Sequence, residues 1–250
     1  AVTAASSCIG PIIPPSVPMI MAATMTGLSV SKMFVAGMVP GILMGLGMIF
    51  VSWYISKKRH YPKAERRSTL KEVLVSAKES FFAILMTLII LSGICFGFVT
   101  PTEASILAVV YGIFVGFFIY KELTIPRLIE SMKSTVTSSA GIMVLVGMAN
   151  VFAYILTKEQ IPQMVADAML SLTSNKYIIL ILINLLLVFV GMFMETIAAI
   201  LILFPVLLNL VLMVGVDPIQ FGVMVVLNLV LGLCTPPVGV CLFAATNIGE

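Results

Sequence analysis

The sequence has few charged side chains. Asp, Glu, Lys and Arg make up 10% of its 250 residues, whereas soluble domains carry roughly 25%. Hydrophobic residues reach 60%, and the mean hydropathy is +1.18. A chain of this composition lacks the polar residues that would cover a water-exposed surface. We therefore interpret it as an integral membrane protein that contacts the lipid bilayer.

The sequence also lacks the side chains and motifs of most enzymes. Its single histidine, His60, lies in a basic stretch, and its four cysteines lie in apolar segments without metal-site spacing. We interpret the cysteines as small packing residues. There is no P-loop, no HExxH motif and no pair of aspartates on a helix. We predict that the chain is not an enzyme and needs no cofactor, and we expect no nucleic-acid partner.

An initiator methionine, a basic start and a cleavable signal pattern are absent, so we expect the chain to be part of a longer polypeptide. Apolar runs of about 20 residues predict transmembrane helices, and the short alternating strands of a membrane β-barrel are not seen. The predicted spans are a broken segment at 2–23, then 33–56, 76–99, 104–120 and 136–157, a long run at 178–214 and a broken segment at 219–245. An interfacial helix is expected between residues 158 and 176.

Positive charge is concentrated in one loop. Seven of the 14 Lys and Arg residues lie between Lys57 and Lys71, and short loops of this kind stay in the cytoplasm. When the loop 57–71 is placed inside, counting the spans gives the first and last broken segments opposite orientations. The count holds whether 178–214 forms two full spans or a re-entrant hairpin.

The two broken segments resemble each other. A shift of 222 positions places residues 6–27 on residues 228–249 without gaps, and it matches Gly10 with Gly232 and the Pro14-Pro15 pair with Pro236-Pro237. For the first segment alone, a proline kink that serves packing is the simpler interpretation. Its inverted second copy instead favours a secondary transporter, whose repeats carry interrupted helices at matching positions. Broken backbone is tolerated at membrane depth where it lines a cavity. Its carbonyl oxygens can then bind Na⁺.

Three acidic residues lie near apolar segments. Glu103 and Asp217 are predicted to complement helix N-termini. Glu195 and Thr196 lie between the two legs of the 178–214 run. If both legs cross the membrane, Glu195 lies in a surface turn. If the run is a re-entrant hairpin, Glu195 lies at its tip near the midplane, where ionisable groups are costly and usually functional.

Five motifs, "IGPIIPPS", "AGMVPGI", "FVTPTEAS", "GVDPIQFGV" and "NLVLGLCTPPVG", occur in an order that resembles the large membrane subunit of the tripartite ATP-independent periplasmic (TRAP) transporters. The resemblance implies an all-α integral membrane fold, namely an inverted-repeat, elevator-type secondary transporter with a re-entrant hairpin and broken helices. It implies symport of a small organic acid, such as a sialic acid, a C4-dicarboxylate or another sugar acid, with Na⁺ as coupling ion. It also implies two partners, a small four-helix membrane subunit and a periplasmic substrate-binding protein, and a multi-pass location in the bacterial inner membrane.

The resemblance further divides the chain. Residues 1–30 correspond to the broken helix of the transport domain in repeat 1, and 31–135 to scaffold and arm helices. Residues 136–250 correspond to the second arm, the re-entrant hairpin 178–214 and the broken helix 219–245 of repeat 2. The first hairpin and the last scaffold helix have no counterpart in the sequence, so we expect residues 1–250 to leave the first sodium site incomplete.

By resemblance, the candidate site residues fall into three groups. Those of the first sodium site are Ser6, Ser7, Gly10 and Ile13. Those of the second sodium site are Glu195, Thr196, Gly232 and Thr235. Those near the substrate are Pro14, Pro15, Ser16, Thr196, Pro236 and Pro237. We also expect Gly232→Val to abolish transport while leaving the protein folded.

Other functions stay open at this stage. An ion or solute channel is the main alternative, although channels are usually symmetric oligomers around a pore, whereas an inverted repeat builds one site per chain. An intramembrane enzyme would need a nucleophile or metal set facing a cavity. An ATP-driven permease would need a partner ATPase and a coupling loop, for which the basic loop is a poor match.

Overall fold

All regular elements in the described part of the chain are helices, as predicted. The computed structural model describes residues 2–59, 69–161, 164, 167–168, 171, 175–237, 239 and 241. The helices are α1 (Val2–Ser7), α2 (Val17–Thr26), α3 (Val30–Arg59), α4 (Leu70–Glu79), α5 (Phe81–Cys95), α6 (Pro101–Phe114), α7 (Ile125–Lys158), α8 (Lys176–Gly191), α9 (Thr196–Met213) and α10 (Pro218–Gly232). A π-helical turn, Val115–Ile119, extends α6.

Four helices within the described residues are long and apolar enough to span a membrane: Val30–Arg59, Pro101–Ile119, Ile125–Leu156 and Thr196–Met213. They match the predicted spans 33–56, 104–120 and 136–157 and the second leg of 178–214. The helices α2, α8 and α10 are apolar but shorter. The multi-pass membrane character predicted from composition is therefore confirmed.

Two predicted boundaries are wrong. The span predicted at 76–99 is two helices, α4 and α5, bent by 60°, because α4 is a polar, amphipathic helix while α5 is almost wholly apolar. The span predicted at 136–157 is the later part of a longer helix, α7, which runs without interruption from Ile125. His60 lies outside the described residues. So does part of 158–176, where an interfacial helix is expected.

The chain forms two compact units, residues 1–46 with 137–250, and residues 47–136. In the first unit, α10 packs against α8, α9 and α2, and α9 packs against α2. Phe204 and Phe221 are fully buried, with ring centroids 5.6 Å apart. This unit contains both broken segments and therefore every candidate site residue.

The second unit is built on α5 and α6. The hydroxyl of Tyr111 donates a hydrogen bond to the Phe82 carbonyl at 2.9 Å. A capping box starts α6, because the Thr100 hydroxyl accepts from the Glu103 N–H at 3.3 Å while the Glu103 carboxylate accepts from the Thr100 N–H at 2.7 Å. The prediction that Glu103 complements a helix N-terminus is confirmed. The same prediction for Asp217 is confirmed in the first unit. Its carboxylate caps α10 by accepting from the Gln220 N–H at 2.9 Å.

Two glycines bring α8 and α10 into backbone contact. A Cβ added at Gly191 would lie 2.6 Å from the Leu229 carbonyl oxygen, and one added at Gly232 would lie 2.5 Å from the Gly191 carbonyl carbon. Real Cβ atoms do not approach backbone so closely, so the two helices would have to separate. Gly232 therefore has a packing role, and the expectation that Gly232→Val leaves the protein folded has to be revised.

This packing predicts a contrast between two glycine-to-alanine variants. Gly191→Ala should destabilise the protein by about 1–3 kcal/mol, the usual cost of overpacking. Gly147→Ala in α7 is the control, because no atom lies within 4 Å of a Cβ added there. Unfolding in detergent should show a lower free energy of unfolding for Gly191→Ala than for wild type. Gly147→Ala should be at least as stable as wild type. Equal stability of the two variants would contradict the close packing of α8 and α10.

Candidate ion and substrate site

The first break lies between α1 and α2, where residues 8–16 form turns instead of a helix. Proline has no backbone N–H, so Pro11, Pro14 and Pro15 remove the helical donors of the carbonyls four residues earlier. The proline pattern therefore ends the helix here, as predicted. The peptide bond between Pro14 and Pro15 is cis.

Ser16 replaces one of the missing donors. Its hydroxyl donates to the Pro11 carbonyl, whose helical partner would have been the missing N–H of Pro15. The same oxygen accepts from the Met19 N–H at 3.2 Å and caps α2. Ser16 is 1% exposed, so its hydroxyl holds the break together in this structure, and a contact with substrate stays a prediction.

The second break follows α10. The helix ends at Gly232, and turns replace it through Pro237. The Gly232 carbonyl accepts from the Thr235 N–H at 2.9 Å, and the Leu233 carbonyl accepts from the Cys241 N–H at 3.1 Å. The peptide bond between Pro236 and Pro237 is also cis. Both copies of the repeated motif thus end a helix close to the matched positions, α1 at Ser7 and α10 at Gly232.

The two breaks are in direct contact. The Cys234 thiol donates to the Ala4 carbonyl at 3.0 Å, and the Cys8 thiol donates to the Val230 carbonyl at 3.3 Å. The earlier residue of one segment thus faces the later residue of the other, so the segments run antiparallel where they meet. This pairing agrees with the opposite orientations expected from the positive loop, although the full inverted repeat stays a prediction.

The turn between α8 and α9 joins the second break through Gly191, which lies against Gly232. Glu195 caps α9, because one of its carboxylate oxygens accepts from the N–H groups of Ile197 at 2.9 Å and Ala198 at 3.1 Å. Thr196 follows and is 3% exposed. Within the described part of the chain, its Oγ1 atom is buried and has no hydrogen-bond partner. A buried hydroxyl of this kind is available to a ligand.

The remaining hydroxyls of the two predicted sodium sites bond to their own helices. Ser6 donates to the Thr3 carbonyl at 3.1 Å, Ser7 to the Ala4 carbonyl at 2.7 Å, and Thr235 to the Leu231 carbonyl at 2.9 Å. A hydroxyl that donates one hydrogen bond keeps lone pairs for a cation. All three oxygens can therefore serve as cation ligands.

The backbone positions of the first sodium group differ in their surroundings. Gly10 is exposed. The side chain of Ile13 packs where a Cβ of Gly41 would otherwise lie, with its Cγ1 atom 2.6 Å from that position. Because an isoleucine side chain has no ligand atom, Ile13 can contribute only its carbonyl oxygen to a site. Of the prolines predicted near the substrate, Pro14 is buried, whereas Pro15, Pro236 and Pro237 are exposed.

The oxygen atoms at the two breaks suit a hard cation better than a thiophilic metal. In the described residues, no group of three or more His, Cys, Asp or Glu side chains could hold a metal ion. Carbonyl and hydroxyl oxygens instead dominate both breaks, and such ligands favour hard ions over thiophilic ones.

An asparagine pair beside the second break was missed by sequence reasoning. The Asn228 amide donates to the Asn184 side-chain oxygen and also to the Met224 carbonyl at 2.8 Å, while the Asn184 amide donates to the Leu180 carbonyl at 2.7 Å. Polar pairs of this kind hold transmembrane helices together. The signal was one asparagine in each of two mostly apolar helices, α8 and α10.

The buried hydroxyl of Thr196 gives a test of the second sodium site. Thr196→Val keeps the side-chain shape but removes an oxygen whose lack of a partner costs about 1–3 kcal/mol. Without Na⁺, the variant should melt at the same temperature as wild type or higher. It should also lose the rise in melting temperature that bound Na⁺ causes.

Thr135→Val serves as control, because the Thr135 hydroxyl is exposed and bonds to the Ser131 carbonyl at 2.8 Å. Thermal unfolding in NaCl and in KCl measures both effects. A full sodium-dependent rise in Thr196→Val would show that Thr196 is not a ligand.

Comparison with known proteins gives the family. The model of the family described as "Tripartite ATP-independent periplasmic transporter, DctM component" matches residues 1–250. The chain is 42% identical to the sialic acid TRAP transporter large permease protein SiaM of Vibrio cholerae, over 99% of this chain and 58% of that protein. It is 43% identical to the isethionate TRAP transporter permease protein DctMQ of Oleidesulfovibrio alaskensis, over 100% of this chain and 39% of that protein.

A third relative is the C4-dicarboxylate TRAP transporter large permease protein DctM of Pseudomonas aeruginosa, 39% identical over 96% of this chain and 56% of that protein. The chain thus spans between 39% and 58% of the length of these three relatives. The match over every residue and the identities near 40% confirm the resemblance given by the proline motifs. The chain belongs to the DctM family, the large membrane component of the tripartite ATP-independent periplasmic transporters.

Proposed function

We propose that the chain forms part of the membrane subunit of a sodium-coupled, binding-protein-dependent secondary transporter that imports a small organic acid by an elevator mechanism. The observation that carries the proposal is the contact between the two breaks. Two interrupted helices that run antiparallel meet through Ala4, Cys8, Val230 and Cys234, as the halves of an inverted-repeat transporter site would.

The short length of α8 supports a re-entrant hairpin at 178–214. The helices have 16 and 18 residues, which corresponds to about 24 and 27 Å at 1.5 Å per residue. The hydrocarbon core is about 30 Å thick, so α8 falls short of it, whereas α9 is just long enough to span a membrane. The tip of the pair, with Glu195 and Thr196, would then lie inside the bilayer beside Gly232.

The charge of Glu195 helps to assign the two kinds of ligand. A helix N-terminus attracts anions, but at α9 the capping carboxylate already occupies this position. An ionised Glu195 would repel a substrate carboxylate and attract Na⁺. Thr196, which the sequence analysis assigned to both sites, therefore fits the sodium site better. The start of α2 has a neutral cap, Ser16, and is the better position for an anionic substrate group.

The names of the relatives support an acidic substrate. They refer to sialic acid, isethionate and C4-dicarboxylates, which all carry a negative charge at neutral pH. The proposed substrate class is therefore a small organic anion. The term "large permease" in two of these names also supports a small membrane subunit as partner.

The family description supports a periplasmic partner and hence a place in the bacterial inner membrane. In this arrangement, the loop 57–71 faces the cytoplasm. Lys57, Lys58 and Arg59 end α3 at the start of that loop. The division into transport domain and scaffold also belongs to the proposal.

Uptake in proteoliposomes tests the proposed function. The permease is reconstituted with its small subunit, and the binding protein is added outside with a radiolabelled acid chosen by thermal-shift screening of that protein. We expect accumulation above the outside concentration only with an inward Na⁺ gradient and the binding protein, because sodium entry drives the transport.

Two controls accompany this experiment. Replacement of Na⁺ by K⁺ and omission of the binding protein should each abolish accumulation. Unchanged uptake in K⁺ would contradict the proposed sodium coupling. Flux that only follows the substrate gradient and never exceeds equilibrium would indicate a channel, an alternative that no feature of the described residues favours.

A further inference from the structure

Three of the four cysteines lie together at the crossing of the two breaks. The Sγ atoms of Cys8 and Cys234 are 3.0 Å apart, although the two residues are separated by 226 positions in the chain. The thiol of Cys241 lies within hydrogen-bonding reach of Cys234. Cys95 belongs to the other compact unit. The interpretation of all four cysteines as packing residues therefore holds poorly for this cluster.

The pair occupies a defined place relative to the candidate ion sites. Cys8 follows Ser6 and Ser7 directly and precedes Gly10, while Cys234 lies between Gly232 and Thr235. Each thiol also donates to a carbonyl of the opposite segment, Val230 for Cys8 and Ala4 for Cys234. A bond between the two sulfur atoms would therefore link the backbone of both breaks.

We propose that Cys8 and Cys234 form an oxidisable dithiol whose disulfide closes the two breaks on each other and stops transport. The sulfur atoms have to approach by about 1 Å to reach the 2.05 Å of a disulfide. A two-electron oxidant of the azodicarboxamide class, such as diamide, takes up two electrons and two protons and becomes the hydrazine. The two thiols become one S–S bond, and a dithiol reductant restores them.

The consequence for transport rests on the proposed function, whereas the formation of the bond does not. The disulfide removes both thiol-to-carbonyl hydrogen bonds and fixes the spacing of the two breaks. Backbone oxygens that must adjust to bind and release Na⁺ then lose that freedom. Transport should fall while the protein stays folded.

Mass spectrometry tests the bond directly. The permease in proteoliposomes is treated with diamide, denatured, alkylated and digested with trypsin. In a Cys241→Ser background, we expect the tryptic peptide that contains Cys8 to be joined to the one that contains Cys234, with alkylation within residues 1–250 retained only at Cys95. Cys8→Ser in the same background should keep Cys95 and Cys234 alkylatable. Cys95→Ser in that background is the matched control and should still form the link.

A second reagent covers the case that diamide does not reach the buried pair. Phenylarsine oxide is apolar and binds two neighbouring thiols through its arsenic atom with loss of one water molecule. In the folded Cys241→Ser protein, it should add once through Cys8 and Cys234 and not at all when either of these is also serine. If neither reagent joins the two residues in the folded Cys241→Ser protein, although Cys8, Cys95 and Cys234 all react after denaturation, the proposal is wrong.

Uptake measures the consequence. Diamide should reduce sodium-driven uptake at least fivefold in the Cys241→Ser protein, and dithiothreitol should restore it. The variant that also carries Cys234→Ser should keep its own untreated rate. A complete link with unchanged uptake would overturn the proposed effect on transport. Absence of sodium-driven uptake before oxidation would instead contradict the proposed function and leave the result of the mass spectrometry standing.

Discussion

A carbonyl group that loses its helical donor inside a bilayer must find another partner, because no water is present to supply one. The rest of this structure depends on that constraint. Prolines in two matching segments remove backbone donors. In their place, the backbone forms turns, the Ser16 hydroxyl donates to a carbonyl, and each segment's cysteine thiol donates to a carbonyl of the other segment. The two broken helices meet at these contacts, and we propose that backbone and hydroxyl oxygens beside them bind a small cation.

Close packing holds this crossing in place. Gly191 and Gly232 let α8 and α10 touch through their backbones. The Asn184–Asn228 pair ties the same two helices about two turns earlier in α8 and one turn earlier in α10. The turn that carries Glu195 and Thr196 is thereby positioned beside the second break. Within the described residues, the buried Thr196 hydroxyl has no hydrogen-bond partner, which is destabilising by itself. In the proposed site, a bound ion would supply that partner.

Much of this arrangement was predictable from local chemistry. The helix breaks follow from proline, the caps at Glu103 and Asp217 from acids before apolar runs, and the spans from hydropathy. The sequence did not reveal the bend between α4 and α5, since hydropathy averages over a polar and an apolar helix. It also did not reveal which side chains meet, because the Cys8–Cys234 and Asn184–Asn228 pairs join residues 226 and 44 positions apart. The matched breakers indicated that the segments belong together but not which atoms touch.

The central claim is that the crossing of the two breaks binds Na⁺ through main-chain and hydroxyl oxygens. Electron cryomicroscopy of the reconstituted permease in NaCl and in KCl tests it most directly. The account predicts density at coordination distance from oxygens of the break after Ser7, or from Thr196 and the break after Gly232, that is present in Na⁺ and lost in K⁺. Continuous helix through residues 8–16 or 233–237, or breaks with no sodium-dependent density beside them, would contradict it.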